Sequence, residues 1–150
     1  MESTAMLTGY VGNDVDVKIT KSGVSMTSFR VGTTPRIKRG ADWVDGTTTW
    51  TTVVCYRALA DNVGASLAKG DPVIVEGRVR TQVWTDGQHD LHERVVVEAS
   101  SVGHDLNRGT TVFHRTPRRP ADDPSLKDVE ATVPIDDEEE AEVSDLVLVA

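Results

Sequence analysis

The amino-acid sequence predicts an all-β domain that contains one short helix. Segments rich in Val and Thr alternate with Gly, Asn and Asp turns from about residue 3 to residue 102. Within them, Leu59, Val63 and Leu67 recur at steps of four, which is a helical spacing, and Gly70 follows as a stop signal. The Val and Thr pattern fades beyond residue 102, so the predicted domain ends close to that point.

Five strands are predicted, at residues 6–13, 24–33, 48–56, 72–84 and 91–101, with the helix at 57–69 between the third and the fourth. This order is that of the OB-fold, a five-stranded and partly open Greek-key barrel. We therefore predict one OB-fold domain over residues 1–108.

The charge of the chain is divided unevenly along its length. Residues 1–120 carry 15 Lys and Arg against 13 Asp and Glu, a net charge of +2, whereas residues 121–150 carry 1 against 11, a net charge of -10. Residues 109–120 have the Pro and basic content of a linker. The last thirty residues lack aromatic side chains, and we predict a disordered acidic tail. A basic body suits a polyanionic ligand, although an acidic tail that only aids solubility fits equally well.

Several features predict a cytoplasmic protein. Cys55 is the single cysteine, which excludes an intramolecular disulfide and is typical of a reducing compartment. No stretch approaches the roughly 20 apolar residues of a membrane helix. The start, MESTAMLTGY, lacks the basic region and apolar core of a signal peptide.

Alternation along the third and fourth predicted strands separates a core face from an aromatic and cationic face. In the third strand the core face holds Thr51, Val53 and Cys55, and the other face holds Trp50, Thr52, Val54 and Tyr56. In the fourth, the core face holds Val73, Val75, Gly77, Val79, Thr81 and Val83, and the other holds Glu76, Arg78, Arg80, Gln82 and Trp84.

An aromatic face of this kind is suited to stacking on nucleic-acid bases. A single Trp on a strand is more often a core residue, but alternation places Trp50, Tyr56 and Trp84 away from the core, out of seven aromatic residues in all. Every base has a π-face, so such stacking tolerates any sequence. Scattered cations are commonly a solvated surface; next to these aromatics they predict phosphate contacts by Arg30, Arg36, Lys38, Arg57, Arg78 and Arg80.

Four segments resemble the bacterial single-stranded DNA-binding protein family: LTGYVGND at 7–14, SFRVGTTPR at 28–36, TWTTVVCYRALADN at 49–62 and KGDPVIVEGRVRTQVW at 69–84. The resemblance spans residues 1 to about 106, and VGHDLNRGT at 102–110 is similar to the shorter actinobacterial paralogue.

The resemblance implies a nucleoid-associated homotetramer that binds and protects single-stranded DNA in replication, recombination and repair. It also implies base stacking on Trp50, Tyr56 and Trp84, the residues that alternation selects. A further family Trp falls near Ile37 here. Trp43, in the loop that follows, is a candidate extra contact, with packing inside the loop as the alternative. Housekeeping members end in an acidic Pro-Phe tip that recruits replication and repair proteins; this chain ends SDLVLVA, so the resemblance does not extend to that recruitment.

Enzymatic and metal-binding functions find little support. The sequence contains neither a GxxxxGK[ST] phosphate loop nor a GxSxG elbow. His89 and His92 have no further Cys or His at ligand spacing, so we expect no metal and no cofactor. The remaining alternative is an OB-fold that binds a protein or an oligosaccharide through the same face. Oligosaccharide sites also use Trp, but they favour carboxylate and amide groups over Arg.

Overall fold

The computed structural model describes residues 2–87 and 89–117. The predicted acidic tail, 121–150, and the last residues of the predicted linker lie outside this part of the chain. Two compact units can be distinguished. The larger comprises Met1–Arg80 and Val95–Arg115, and the smaller contains Thr81–Arg94.

Eight strands and one helix are present in the described residues. They are β1 Thr4–Val11, β2 Val17–Ile19, β3 Ser25–Thr33, β4 Arg36–Arg39, β5 Asp42–Asp45, β6 Thr49–Tyr56, α1 Arg57–Ser66, β7 Pro72–Thr85 and β8 Leu91–His104. The five predicted strands correspond to β1, β3, β6, β7 and β8, and the helix lies between β6 and β7 as predicted.

These five strands pair in a closed circuit. Their order is β1-β7-β8-β6-β3, and β1 pairs back onto β3 through Tyr10 opposite Gly32 and Val11 opposite Val31. β6 and β8 run parallel, whereas β1 is antiparallel to both β3 and β7. β2 extends the sheet beyond β3. The circuit and the position of the helix confirm the predicted OB-fold.

The core residues come from the inward side of each strand in the circuit and from the helix. The buried cluster consists of Val11, Phe29, Val31, Val53, Cys55, Ala60, Val63, Leu67, Val73, Val75 and Val97. Complete burial of one such aliphatic side chain stabilises the fold by about 1.5 to 3 kcal/mol. The alternation of β6 is thereby confirmed for Val53 and Cys55, and that of β7 for Val73 and Val75.

The helix is shorter than the sequence predicts. It ends at Ser66, and Leu67 is extended although its side chain belongs to the core. The Asp71 carboxylate accepts a hydrogen bond from the N–H of Ala68 at 2.8 Å, and the N–H of Asp71 donates to the carbonyl of Ala68 at 3.1 Å. These bonds use the backbone N–H and carbonyl of Ala68, which another turn of the helix would otherwise need for its own hydrogen bonds. Gly70, at a φ of +96°, lies inside the turn and not at the helix end.

Two positions on the outward faces depart from the predicted alternation. Val54 has no exposed surface although it belongs to the side of β6 that faces away from the core cluster. Val96, one strand away on the same side, is also buried. In the smaller unit, Val83 is 50% exposed while Trp84 is half-buried, so the apolar face of β7 does not extend to its end.

The smaller unit consists of the ends of β7 and β8 and the loop between them. The N–H of Asp86 donates to the carbonyl of Asp90 at 3.0 Å, and the N–H of Asp90 returns a bond to the Asp86 carboxylate at 2.9 Å. His89 closes the loop with a φ of +69°, in the left-handed region that few residues other than Gly adopt.

Candidate nucleic-acid interface

Trp50 lies on the outward face of β6 and is 50% exposed. The Arg30 guanidinium carbon lies 5.4 Å from the centre of its ring, at a distance suited to a cation–π interaction. Arg30 reaches this position because it is paired with Thr52, two residues from Trp50 on the same side of the sheet. Strand register therefore places a cation beside an accessible aromatic surface.

Two glycines allow the Trp50 ring to lie against the backbone. A Cβ added to Gly32 would come within 2.8 Å of the indole Cζ3, and a Cβ on Gly12 would clash with the same atom. Gly32 is directly opposite Trp50 in the ladder between β3 and β6. We use the term Trp50 site for Trp50, Arg30, Gly12 and Gly32.

Tyr56 lies at the other end of β6, on the same side as Trp50. Its ring is half-buried, and burial raises the pKa of its hydroxyl, with smaller contributions from the Glu98 carboxylate and Cys55. The phenol therefore remains neutral well above neutral pH. A neutral ring can stack on a base without repelling the neighbouring phosphates.

Arg78 and Arg80 are placed on the outward face of β7, as predicted, and both contact carboxylates. Arg78 Nε lies 3.4 Å from Glu2 Oε2, and Arg80 Nη2 lies 3.5 Å from Glu2 Oε1. Arg80 Nε is also 3.8 Å from Glu98 Oε2. All of these side chains are about half exposed, and exposed ion pairs contribute only about 0 to 1 kcal/mol. A phosphate can therefore compete with these carboxylates.

Trp84 belongs to the smaller unit, where one aromatic side chain and one cationic side chain lie beside its ring. Its ring stacks on His92 with a centroid distance of 5.5 Å and an interplanar angle of 20°. Arg94 contributes a guanidinium 5.4 Å from the ring centre. His92 in turn contacts the Asp86 carboxylate at 2.8 Å. Trp84 is thus a half-buried aromatic residue beside a cation, like Trp50 but in a separate unit.

The segment that contains Arg36, Lys38 and Trp43 is a β-hairpin, where the sequence predicted a loop. Lys38 is directly opposite Trp43 in this hairpin, so their side chains share one face. Arg36 donates a hydrogen bond to the Trp43 carbonyl at 3.1 Å and lies 3.8 Å from the Asp45 carboxylate. Trp43 is 58% exposed.

The remaining predicted residues are distributed differently. Arg57 is the exposed first residue of α1, with a φ of +59° in the left-handed region. Cys55 is fully buried in the core, and burial raises the pKa of its thiol to about 12. Such a thiol is not ionised at neutral pH and is a poor nucleophile.

Sequence reasoning missed one aromatic residue and one cation. Tyr10 is 46% exposed on the outward side of β1, and the Arg108 guanidinium lies 5.8 Å from the centre of its ring. Alternation along the first strand, in which Leu7 and Val11 face the core, was a signal that could have identified Tyr10. No comparable signal exists for Arg108.

Within the described residues, no group of three or more His, Cys, Asp or Glu side chains is arranged to hold a metal ion. No helix in this part of the chain has the length and apolar character needed to cross a membrane.

The fold and the site define the class of this protein: an OB-fold protein with arginine-flanked aromatic side chains exposed on its sheet. Comparison with known proteins then identifies the family. Residues 3–105 match the model of the single-strand binding protein family, and the chain belongs to that family.

Similar proteins come from actinobacteria. The chain is 42% identical over 111 residues to single-stranded DNA-binding protein 2 of Tropheryma whipplei strain Twist, a match that covers 73% of this chain and 72% of the relative. It is 40% identical over 141 residues to single-stranded DNA-binding protein 2 of Streptomyces avermitilis, covering 88% and 78%. The crystal structure of the small single-stranded DNA-binding protein from Streptomyces coelicolor matches with a TM-score of 0.61 and 32% identity, over 72% of this chain and 98% of that one.

Proposed function

We propose that this chain binds single-stranded DNA without sequence preference, by stacking unpaired bases on Trp50, Tyr56 and Trp84. The observation that carries the proposal is the Trp50 site, where a half-exposed indole lies on two glycines beside Arg30. Base faces are accessible in single strands and are covered by neighbouring bases in a duplex. The names of the actinobacterial relatives support the same ligand.

The cations supply the electrostatic part of this binding. The proposed phosphate contacts are Arg30, Arg36, Lys38, Arg57, Arg78 and Arg80, and the ion pairs of Arg36, Arg78 and Arg80 are exposed. Each phosphate neutralised on a single strand releases counterions, so log K falls against log salt with a slope of roughly -0.7 per contact. The exposure of Trp43 beside Lys38 favours its role as an extra contact over packing in the hairpin.

The proposed biological role is the protection of single-stranded DNA during replication, recombination and repair in the cytoplasm. We propose that residues 1–108 bind the DNA, that 109–120 form a linker and that 121–150 form an acidic tail. A homotetramer is the assembly that we infer from the family. The exposed apolar side chains of Met6 and Ile74, on the outward faces of β1 and β7, support a contact with further copies.

Titration of a labelled oligothymidylate, followed by fluorescence anisotropy over a series of salt concentrations, tests the proposal. We expect tight binding to the single strand, weaker binding to a duplex of equal length, and a steep salt dependence. Equal affinity for the duplex would contradict base stacking. Binding that is insensitive to salt would contradict the proposed phosphate contacts, because each neutralised phosphate contributes to the slope. Incubation of the bound DNA with Mg²⁺ should leave it intact, because we propose a binding protein without catalytic activity.

A further inference from the structure

Tyr10 lies in the same transverse row of the sheet as Trp50. Tyr10 on β1 is directly opposite Gly32 on β3, and Gly32 is directly opposite Trp50 on β6. Residues that face each other in antiparallel strands project their side chains to the same side. Strands are about 4.8 Å apart, so Tyr10 and Trp50 start from backbones separated by about 10 Å.

The row is open in its centre because Gly32 has no side chain. The Trp50 indole occupies this space and extends to Gly12, which follows β1 two residues after Tyr10. The large ring therefore spans β3 and ends beside the strand that carries Tyr10. The two aromatic residues lie at the two ends of one continuous surface, and both are about half exposed.

A turn anchored by the buried Asp105 brings Arg108 to this surface. Asp105 is buried, and its carboxylate accepts hydrogen bonds from the backbone N–H of Asn107 at 3.0 Å and from its side-chain amide at 2.8 Å. The N–H of Arg108 closes the turn on the Asp105 carbonyl at 3.0 Å. The N–H of Asp105 bonds to the carbonyl of Pro72 at 3.0 Å, and Pro72 is directly opposite Tyr10. The turn is thus anchored beside Tyr10.

We infer that Tyr10 and Arg108 form a further contact for the single strand, in which Tyr10 stacks on a base and Arg108 binds an adjacent phosphate. This inference rests on the proposed function, and it extends the Trp50 site across Gly32 to a second aromatic–arginine pair. The arrangement repeats that of Trp50 with Arg30, in which a guanidinium lies beside an aromatic ring. A DNA strand that crosses the sheet along this row meets two rings, each with an arginine beside it.

Variants of the full chain test this inference. In titrations with oligothymidylates of about 4 to 16 nucleotides, the range of site sizes for one OB-fold, Tyr10→Ala should weaken binding by roughly five-fold to 150-fold. Tyr10→Phe should retain the affinity, because stacking needs the ring and not the hydroxyl. Arg108→Ala should make the slope of log K against log salt less steep by about 0.7, the value for one phosphate contact.

Two controls separate the possible outcomes. Ile19→Ala shortens an exposed apolar side chain at the end of β2, outside this row, and should leave the affinity unchanged. Trp50→Ala tests the proposed function itself. If Trp50→Ala weakens binding while Tyr10→Ala does not, the inference fails and the proposed function stands. If the wild-type chain shows no preference for single strands, the proposed function fails.

Light scattering provides the last readout. Tyr10→Ala could lower the molar mass of the assembly and lose affinity only to the extent that the assembly is lost. In that case Tyr10 contacts another copy of the chain and the inference is overturned. An affinity loss at unchanged mass, reversed in Tyr10→Phe, supports it.

Discussion

Substitution of Trp50 by Ala should weaken DNA binding while leaving the protein folded. The free energy lost from DNA binding can be compared with the free energy lost from folding. Loss of one stacked base costs about 1 to 3 kcal/mol, which is roughly a five-fold to 150-fold weaker affinity. A Trp buries at most about 250 Å², and because Trp50 is 50% exposed it buries about 125 Å². At about 25 cal/mol per Å², the stability lost is at most about 3 kcal/mol. Domains are typically stable by about 5 to 15 kcal/mol, so the variant stays folded.

A matched core variant makes this comparison sharp. Val53 is on the same strand but points into the core and has no exposed surface. Val53→Ala should cost about 2 kcal/mol of stability through lost burial and a cavity, yet bind DNA with wild-type affinity when folded. Urea unfolding gives the stability of each variant, and anisotropy with a labelled oligonucleotide gives its affinity.

The result that would refute this reasoning is specific. If the affinity of Trp50→Ala, corrected for the folded fraction, equals that of the wild type, the exposed indole is not a base contact. The same conclusion holds if Val53→Ala and Trp50→Ala lose affinity equally, because the loss would then reflect a general disturbance of β6.

Four further outcomes are expected. Arg80→Ala should weaken binding less than Trp50→Ala and reduce the salt slope by about 0.7, measured by titration at several salt concentrations. Gly77→Ala should lower the free energy of unfolding by about 1 to 3 kcal/mol, because its Cβ would collide with the main chain of β8. Gly87→Ala is the control and should leave that free energy nearly unchanged, because its Cβ would lie in open space. Burial holds the Cys55 thiol at a pKa of about 12 against an ordinary 9.0, so the folded state keeps its proton between these values. The free energy of unfolding should therefore fall by about 1.4 kcal/mol per pH unit more in the wild type than in Cys55→Ala as the pH rises through that window. Removal of residues 121–150, whose net charge is -10, should tighten DNA binding at low salt and change it little at high salt, because salt screens competition for the cations; equal affinity at low salt would exclude such competition.

The circuit of five strands was predictable because each of its strands has a local signal. Core residues occupy alternate positions, such as Phe29 and Val31 in β3 or Val73 and Val75 in β7, and this period is independent of which strands pair. The hairpin of β4 and β5 was missed because Arg36–Arg39 is polar at three of its four positions. Its two-residue turn begins at Gly40, with a φ of +64°, and a Gly in that place between short strands is itself a hairpin signal.

The contacts of the site were less accessible to sequence reasoning because they depend on register between distant segments. Glu2 meets Arg78 and Arg80 only because β1 and β7 pair with Thr4 opposite Arg78. Alternation assigns a side to each residue, but it does not say which residues become neighbours across the sheet. It also does not show what covers a side, which is why the burial of Val54 was not predicted.

The two glycines under Trp50 make room for the indole ring, although the one inside β3, Gly32, is unfavourable for strand stability. Gly in the interior of a strand is unfavourable, because it loses backbone entropy and packs no side chain. Gly32 nevertheless occupies β3, and a Cβ there would meet the indole at 2.8 Å. A residue with a side chain would favour the strand and displace the ring. The cost at Gly32 is therefore tied to the position of Trp50. A Gly inside a strand, directly opposite an outward Trp, indicates such a surface once the strand pairing is known.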